Sequence, residues 1–137
     1  MTLIEHTGTS MERAGSDIRL RAAFQAASSS ARLHSALAAG TKPDPRFVPI
    51  LVDQCAGEPD FFVRDMLTWA LTRHEPSQTL PYLLDEVRAG APQARSQALH
   101  TLSKIGDPRG WSVITTTVRA VCVLPIVPTS GAADRRR

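Results

Sequence analysis

The sequence predicts an all-α fold: an α-solenoid of two to three helical hairpins followed by an irregular C-terminal tail. Three observations carry that expectation. Apolar residues recur at i, i+3, i+4 and i+7 in successive segments, which is one face of an amphipathic helix. One such helix returns at intervals of 32 and 31 residues, and short runs rich in Gly, Pro and Asp separate the segments. A period of that length points to stacked hairpins, because a single hairpin leaves its own apolar face uncovered.

Residues 1–16, MTLIEHTGTSMERAGS, are polar and aperiodic, and are expected to be mobile. Asp17 is placed to cap a helix through RLRAAFQAA, whose Ile18, Leu20 and Phe24 would cover the first hairpin. The repeat domain is expected to span 17–118, with units at about 28–57, 58–90 and 91–118. The first helix of each unit is short in ARLHSALAAG at 31–40. It carries Val63, Leu67, Ala70 and Leu71 on one face in 62–74, and Ala94, Ala98, Leu102 and Ile105 in 94–105.

The second helices repeat more closely. Val48, Leu51, Val52 and Cys55 recur as Leu80, Leu83, Leu84 and Val87, then as Trp111, Ile114, Thr115 and Val118. Pro49 and Pro81 are read in the first helical turn, where the missing N–H costs nothing. GTKPDP at 40–45, EPSQ at 75–78 and GDPRG at 106–110 separate the helices within units, and GEPD at 57–60 and RAGAP at 88–92 separate the units. Asp60 and Asp107 stand where helix caps belong, and Ser28–Ser30 form a helix-start cluster.

The stretches VRDMLTWAL at 63–71 and ARSQALHTLSKIGDP at 94–108 resemble short HEAT repeats, of the type related to phycobilin lyases. More narrowly, 31–117 resembles a family of small bacterial HEAT-repeat proteins with no assigned reaction. The resemblance implies that Arg32, Arg64 and Arg95, which fall at matching places, form a ladder with an Asp or backbone groups of the adjoining unit. After GDPRGWSVIT the rhythm fails: residues 119–137 are expected to be an irregular basic tail, with Pro125 and Pro128 as helix breakers, reading as an altered or truncated terminus. The open end should then expose Trp111, Ile114 and Val118, which favours self-association there.

Bulk properties exclude several functions. The formal charge of +3 lies wholly in 119–137, with four Arg and one Asp, so 1–118 is balanced and offers no excess charge to nucleic acid. Two cysteines, Cys55 and Cys122, make neither a disulfide framework nor a metal cluster, and Cys55 is expected as a buried thiol. Neither a signal peptide nor a membrane-spanning run is evident, so a cytoplasmic location is expected. The histidines His6, His34, His74 and His100 lack metal-ligand spacing, and Asp85–Glu86 point apart on a helix. No phosphate loop and no G-x-S-x-G nucleophile context occurs, so no catalytic, cofactor or metal site is assigned.

The expected function is a non-catalytic scaffold or adaptor that binds another protein. On the second helices, opposite the core face, Ile50, Asp53, Tyr82, Asp85 and Glu86 form the predicted partner-binding patch, acid-rimmed and suited to a basic or mixed peptide. The resemblance implies two alternatives: a phycobilin-lyase-like, enzyme-associated module, and a nucleic-acid-associated regulatory module. HEAT-like DNA glycosylases use a Trp and an Asp in a basic groove, and Trp69 with Asp65 is a similar i, i+4 pair. The balanced charge of 1–118 and the shortness of the repeat array weigh against that chemistry.

Overall fold

A computed structural model describes residues 15–123, and the side chains of 15–116. The described residues form seven helices and no strand: α1 (15–23), α2 (Ser29–Thr41), α3 (Phe47–Gly57), α4 (Phe61–Thr72), α5 (Pro76–Ala89), α6 (Pro92–Ile105) and α7 (Pro108–Val123). The starts are set by the residues that the sequence marks as caps. Ser28 accepts the Ala31 N–H at 3.3 Å, Asp60 the Val63 N–H at 3.1 Å, and Asp107 the Arg109 N–H at 2.9 Å. Pro76 and Pro92 open α5 and α6, where one unpaired N–H is simply absent. Gly106 ends α6 with φ +69°, the left-handed conformation that glycine adopts without strain.

The helices fall into two rows. α4 packs against α2 on one side and α6 on the other; α5 packs against α3 and α7. Chain neighbours α3 and α4, and α5 and α6, also pack closely across their short turns, so tight packing spans the boundaries drawn between units at 57/58 and 90/91. One apolar cluster runs through both rows, and Leu51, Leu67, Leu71, Leu83, Val48 and Val63 are its largest fully buried members. The predicted core faces of α3 and α4 are buried; on α6, Ala94, Ala98 and Leu102 are buried while Ile105 is half-buried, and on α5, Leu80, Leu83 and Val87 are buried while Leu84 is half-buried.

The α2–α4 seam is closest where α2 has the smallest side chains. Ala36, Ala39 and Gly40 are all buried there. A Cβ on Gly40 would fall into the Trp69 ring and 2.9 Å from Ala70 Cα, so only glycine lets the two backbones approach this far.

Four details differ from the sequence reading. Asp17 lies inside α1, which already runs from residue 15, and does not cap it. α5 starts at Pro76, within the expected breaker, and this puts Pro81 in the helix interior instead of its first turn. α7 continues through 119–123, so helix replaces the first five residues of the expected irregular tail. Ile50, expected on the open face of α3, is only 3% exposed. The expectations for 1–14 and 124–137, and for the Val118 and Cys122 side chains, lie outside the described residues. At the other end of the stack Trp111 is exposed, as expected, and Ile114 is half-buried.

Candidate functional site

The predicted patch on α3 and α5 loses Ile50 to the core. Leu20 and Phe24 enter the same apolar cluster as Ile50, and Arg21 of α1 approaches Asp53 at 3.6 Å, one turn beyond Ile50. Ile50 is therefore core, and Asp53 stays exposed with Arg21 of α1 beside it. Tyr82 and Asp85 remain exposed on α5, with Asp85 4.0 Å from Arg88, and Glu86 is half-buried. Asp85 and Glu86 each neighbour Tyr82 on α5, three and four residues on, but the structure does not join them to Ile50 in an apolar surface.

Of the seven exposed large hydrophobic residues among the described residues, four lie on α2 and α4 of the opposite row, the others being Ile18, Tyr82 and Trp111. Phe61, Phe62, Trp69 and Leu37 are 64%, 70%, 38% and 39% exposed. Between α2 and α4 a groove of about 350 Å³ is lined by Leu33, Leu37, Phe62, Met66 and Trp69, with Asp65 at its edge. Between α4 and α6 lie two further hollows. One, of about 320 Å³, is bordered by Phe61, Arg64, Gln93, Gln97 and His100, and the other, of about 340 Å³, by Thr68, Trp69, Thr72 and Lys104. Asp65 borders all three. The Asp65–Trp69 pair is thus brought to a surface groove, with the Arg73 guanidinium 6.0 Å from the Trp69 ring centre.

Sequence reasoning did not single out Phe62, Met66 or Leu37. A signal was available: Phe62, Met66, Trp69 and Arg73 sit at i, i+4, i+7 and i+11, a second stripe on α4 beside the Val63–Leu67–Ala70–Leu71 face. A helix with two apolar stripes either packs on both or offers one to solvent.

The floor of this row is held by polar groups. Thr101 Oγ1 donates to Gln97 O at 2.9 Å, so its contact of 3.1 Å with Thr68 Oγ1 is a bond that Thr68 donates. Gln97 Nε2 in turn donates to Thr68 Oγ1 at 2.8 Å. Thr68 and Thr101 are buried, and the chain of donors satisfies both hydroxyls.

A second polar centre lies between the rows. Glu58 is fully buried in the turn before α4. Its carboxylate accepts from Arg32 Nε at 3.0 Å and Nη2 at 2.9 Å, from Gln54 Nε2 at 2.7 Å and from the Asp60 N–H at 3.3 Å. Its carbonyl accepts from Arg64 at 2.8 Å and from Gln93 at 3.0 Å. Burial pushes the Glu58 carboxyl up, but Arg32, Gln54 and the Asp60 amide outweigh it and hold the group below its ordinary range.

The three register-matched arginines share one geometry, each reaching back to turn carbonyls five or six residues earlier. Arg32 bonds Ala26 O and Ala27 O, Arg64 bonds Glu58 O and Pro59 O, and Arg95 meets Gly90 O at 3.5 Å. Their visible work is structural.

Other candidates resolve in the same way. His74 is buried behind α4, Nδ1 2.8 Å from Ala70 O and Nε2 3.2 Å from Asp44 O, so it ties two turns together. His34 and His100 are exposed. Cys55 is buried, and burial first, then the Glu58 and Glu86 charges, push its thiol up to about 12 against the opposing Arg64 charge. Among the described residues no cluster of three His, Cys, Asp or Glu is placed to hold a metal ion. No described helix is long and apolar enough to cross a membrane.

No family model, no curated protein and no solved structure matches the chain.

Proposed function

We propose that this chain is a HEAT-type α-solenoid that serves as a non-catalytic scaffold or adaptor for another protein. The observation that supports it is the ordering of helices: one row follows the chain as α2, α4, α6 and the other as α3, α5, α7. Translating one helix pair by 31–32 residues yields that order, with each pair supplying the apolar wall its neighbour lacks. Arg32, Arg64 and Arg95 repeat the same tie to the preceding turn in each unit, as a repeat architecture requires.

A rigid helical face with exposed aromatic residues and shallow grooves suits recognition of a protein segment better than turnover of a small substrate. The reading is tested by immobilising the full chain and identifying proteins retained from a lysate of its native host. A matched column carries a Leu67→Asp variant, whose core is broken. Specific retention by the native chain alone is expected. Equal retention on both columns would overturn the reading. So would salt-sensitive retention of the chain on DNA, in favour of the nucleic-acid module, or uptake of a bilin with a new absorption band, in favour of the lyase-like one.

A further inference from the structure

The balance of charge in 1–118 hides a separation between the two rows. Helices α2, α4 and α6, with the Arg73 cap, carry Arg32, Arg64, Arg73, Arg95 and Lys104 against the single carboxylate Asp65. Helices α3, α5 and α7 carry Asp53, Asp85 and Glu86 against Arg88, Arg109 and Arg119, so this row is balanced and the positive excess lies on the first. Arg32 is spent on Glu58, but Arg64, Arg73, Arg95 and Lys104 have no carboxylate within ion-pair distance among the described residues. The row with the positive charge is also the row with Leu37, Phe61, Phe62 and Trp69 exposed.

We infer that the α2–α4–α6 face docks a net-acidic amphipathic peptide segment of a partner protein, with its apolar side chains in the α2–α4 groove and its carboxylates on Arg73 and Lys104. The inference rests on the scaffold reading and adds to it the face and the partner's chemistry.

The groove decides between ligand classes. Leu33, Leu37 and Met66 offer flexible aliphatic walls, and Phe62 and Trp69 flank them, which fits aliphatic or aromatic side chains entering from a helix. Nucleic acid is served less well. The unpaired cations are few, and Asp65 borders all three hollows described above, where a phosphate backbone would meet it. For a peptide, Asp65 is an acceptor for a hydroxyl or amide donor between the acidic positions.

The probe is a synthetic helical peptide of about 18 residues built from Glu, Ala, Gln and Leu, with Leu at i, i+4, i+7 and i+11. Controls are the same peptide with Lys for every Glu, and an oligouridylate of similar charge. Fluorescence anisotropy is read with the full chain, a Phe62→Ser variant, an Arg73→Glu/Lys104→Glu variant and a Tyr82→Ala variant. All four altered side chains are exposed, and a thermal melt checks that each variant folds.

The Glu peptide should bind, weaken several-fold between about 50 and 300 mM salt, and lose about tenfold in affinity in the first two variants but not the third. Equal or tighter binding of the Lys peptide overturns the charge assignment. Displacement of the Glu peptide by oligouridylate transfers the face to nucleic acid. Unchanged affinity in Phe62→Ser and in the charge-reversed variant removes the face from the interaction. If no peptide binds while the full chain still retains host proteins, this face is wrong and the scaffold reading stands. If the chain retains none, the scaffold reading falls first.

Discussion

Glu58 shows how much one buried carboxylate can organise. Arg32 reaches it from α2, Gln54 from α3, Asp60 and Arg64 from the start of α4, and Gln93 from α6. Replacing it by Gln keeps the shape but removes the charge that Arg32 and Gln54 are arranged around. The Glu58→Gln variant should lose about 3 kcal/mol of unfolding free energy at neutral pH, read from urea midpoints. Because the folded-state pKa lies below the ordinary value of 4.5, the stabilisation is full above that value. It fades as pH falls through the depressed folded value, so the gap between native chain and variant should close on acidification. A gap that stays constant from neutral to acid pH would refute the ion pair as its source. Cys55 gives a second residue-scale test. With its thiol raised from 9.0 to about 12, the thiolate at mild alkaline pH is about a thousandfold scarcer than for an ordinary cysteine. In a Cys122→Ser background, a disulfide reagent should label Cys55 only at the rate of global opening, and labelling should accelerate in parallel with urea.

At the scale of elements, the α2–α4 seam depends on the absence of a side chain. Gly40 lies under the Trp69 ring, and a branched residue there must push α2 away from Ala70. A Gly40→Val variant should cost about 1–3 kcal/mol by overpacking, and Trp69 fluorescence should shift to the red as the ring is displaced into water. Comparable melting of the variant and the native chain would contradict the close approach. Pro81 acts in the reverse sense. It stands inside α5, where it offers no N–H and its ring crowds the carbonyl one turn back. Pro81→Ala should therefore raise stability by about 1 kcal/mol, less than the full helix-interior penalty because the unfolded chain also gains freedom.

The whole molecule is small enough that its terminal helix matters to its stability. α1 adds Leu20 and Phe24 to the apolar cluster that holds Ile50. Phe24→Ala should cost about 3–5 kcal/mol, a large share of what a domain of this size has, and should increase binding of a hydrophobic dye. No increase in dye binding would mean that the cluster around Ile50 stays closed without the Phe24 ring. At the same scale, a cationic α2–α4–α6 row beside a balanced α3–α5–α7 row makes the molecule electrically asymmetric while its described part is close to neutral. Composition reports only the sum, and encounters with partners are steered by the distribution.

Period 3.6 patterning made most of the architecture legible. Val48, Leu51 and Cys55 on α3, Val63 and Leu67 on α4, and Ala98 and Leu102 on α6 could be assigned to the core, because helical spacing is a local property that any segment carries in its own residues. The caps at Ser28, Asp60 and Asp107 were legible for the same reason, since each acts within three residues. What covers a face is not local. Ile50 looked open because the sequence cannot say that it enters the cluster α1 joins with Leu20 and Phe24, and Glu58 looked like a turn residue because its partners come from four different helices. The groove at Phe62 and Trp69, and the sorting of charge between rows, arise only when helices 31–32 residues apart in sequence lie side by side. Spacing along the chain determined which faces are apolar; packing in three dimensions decided which of them meet water.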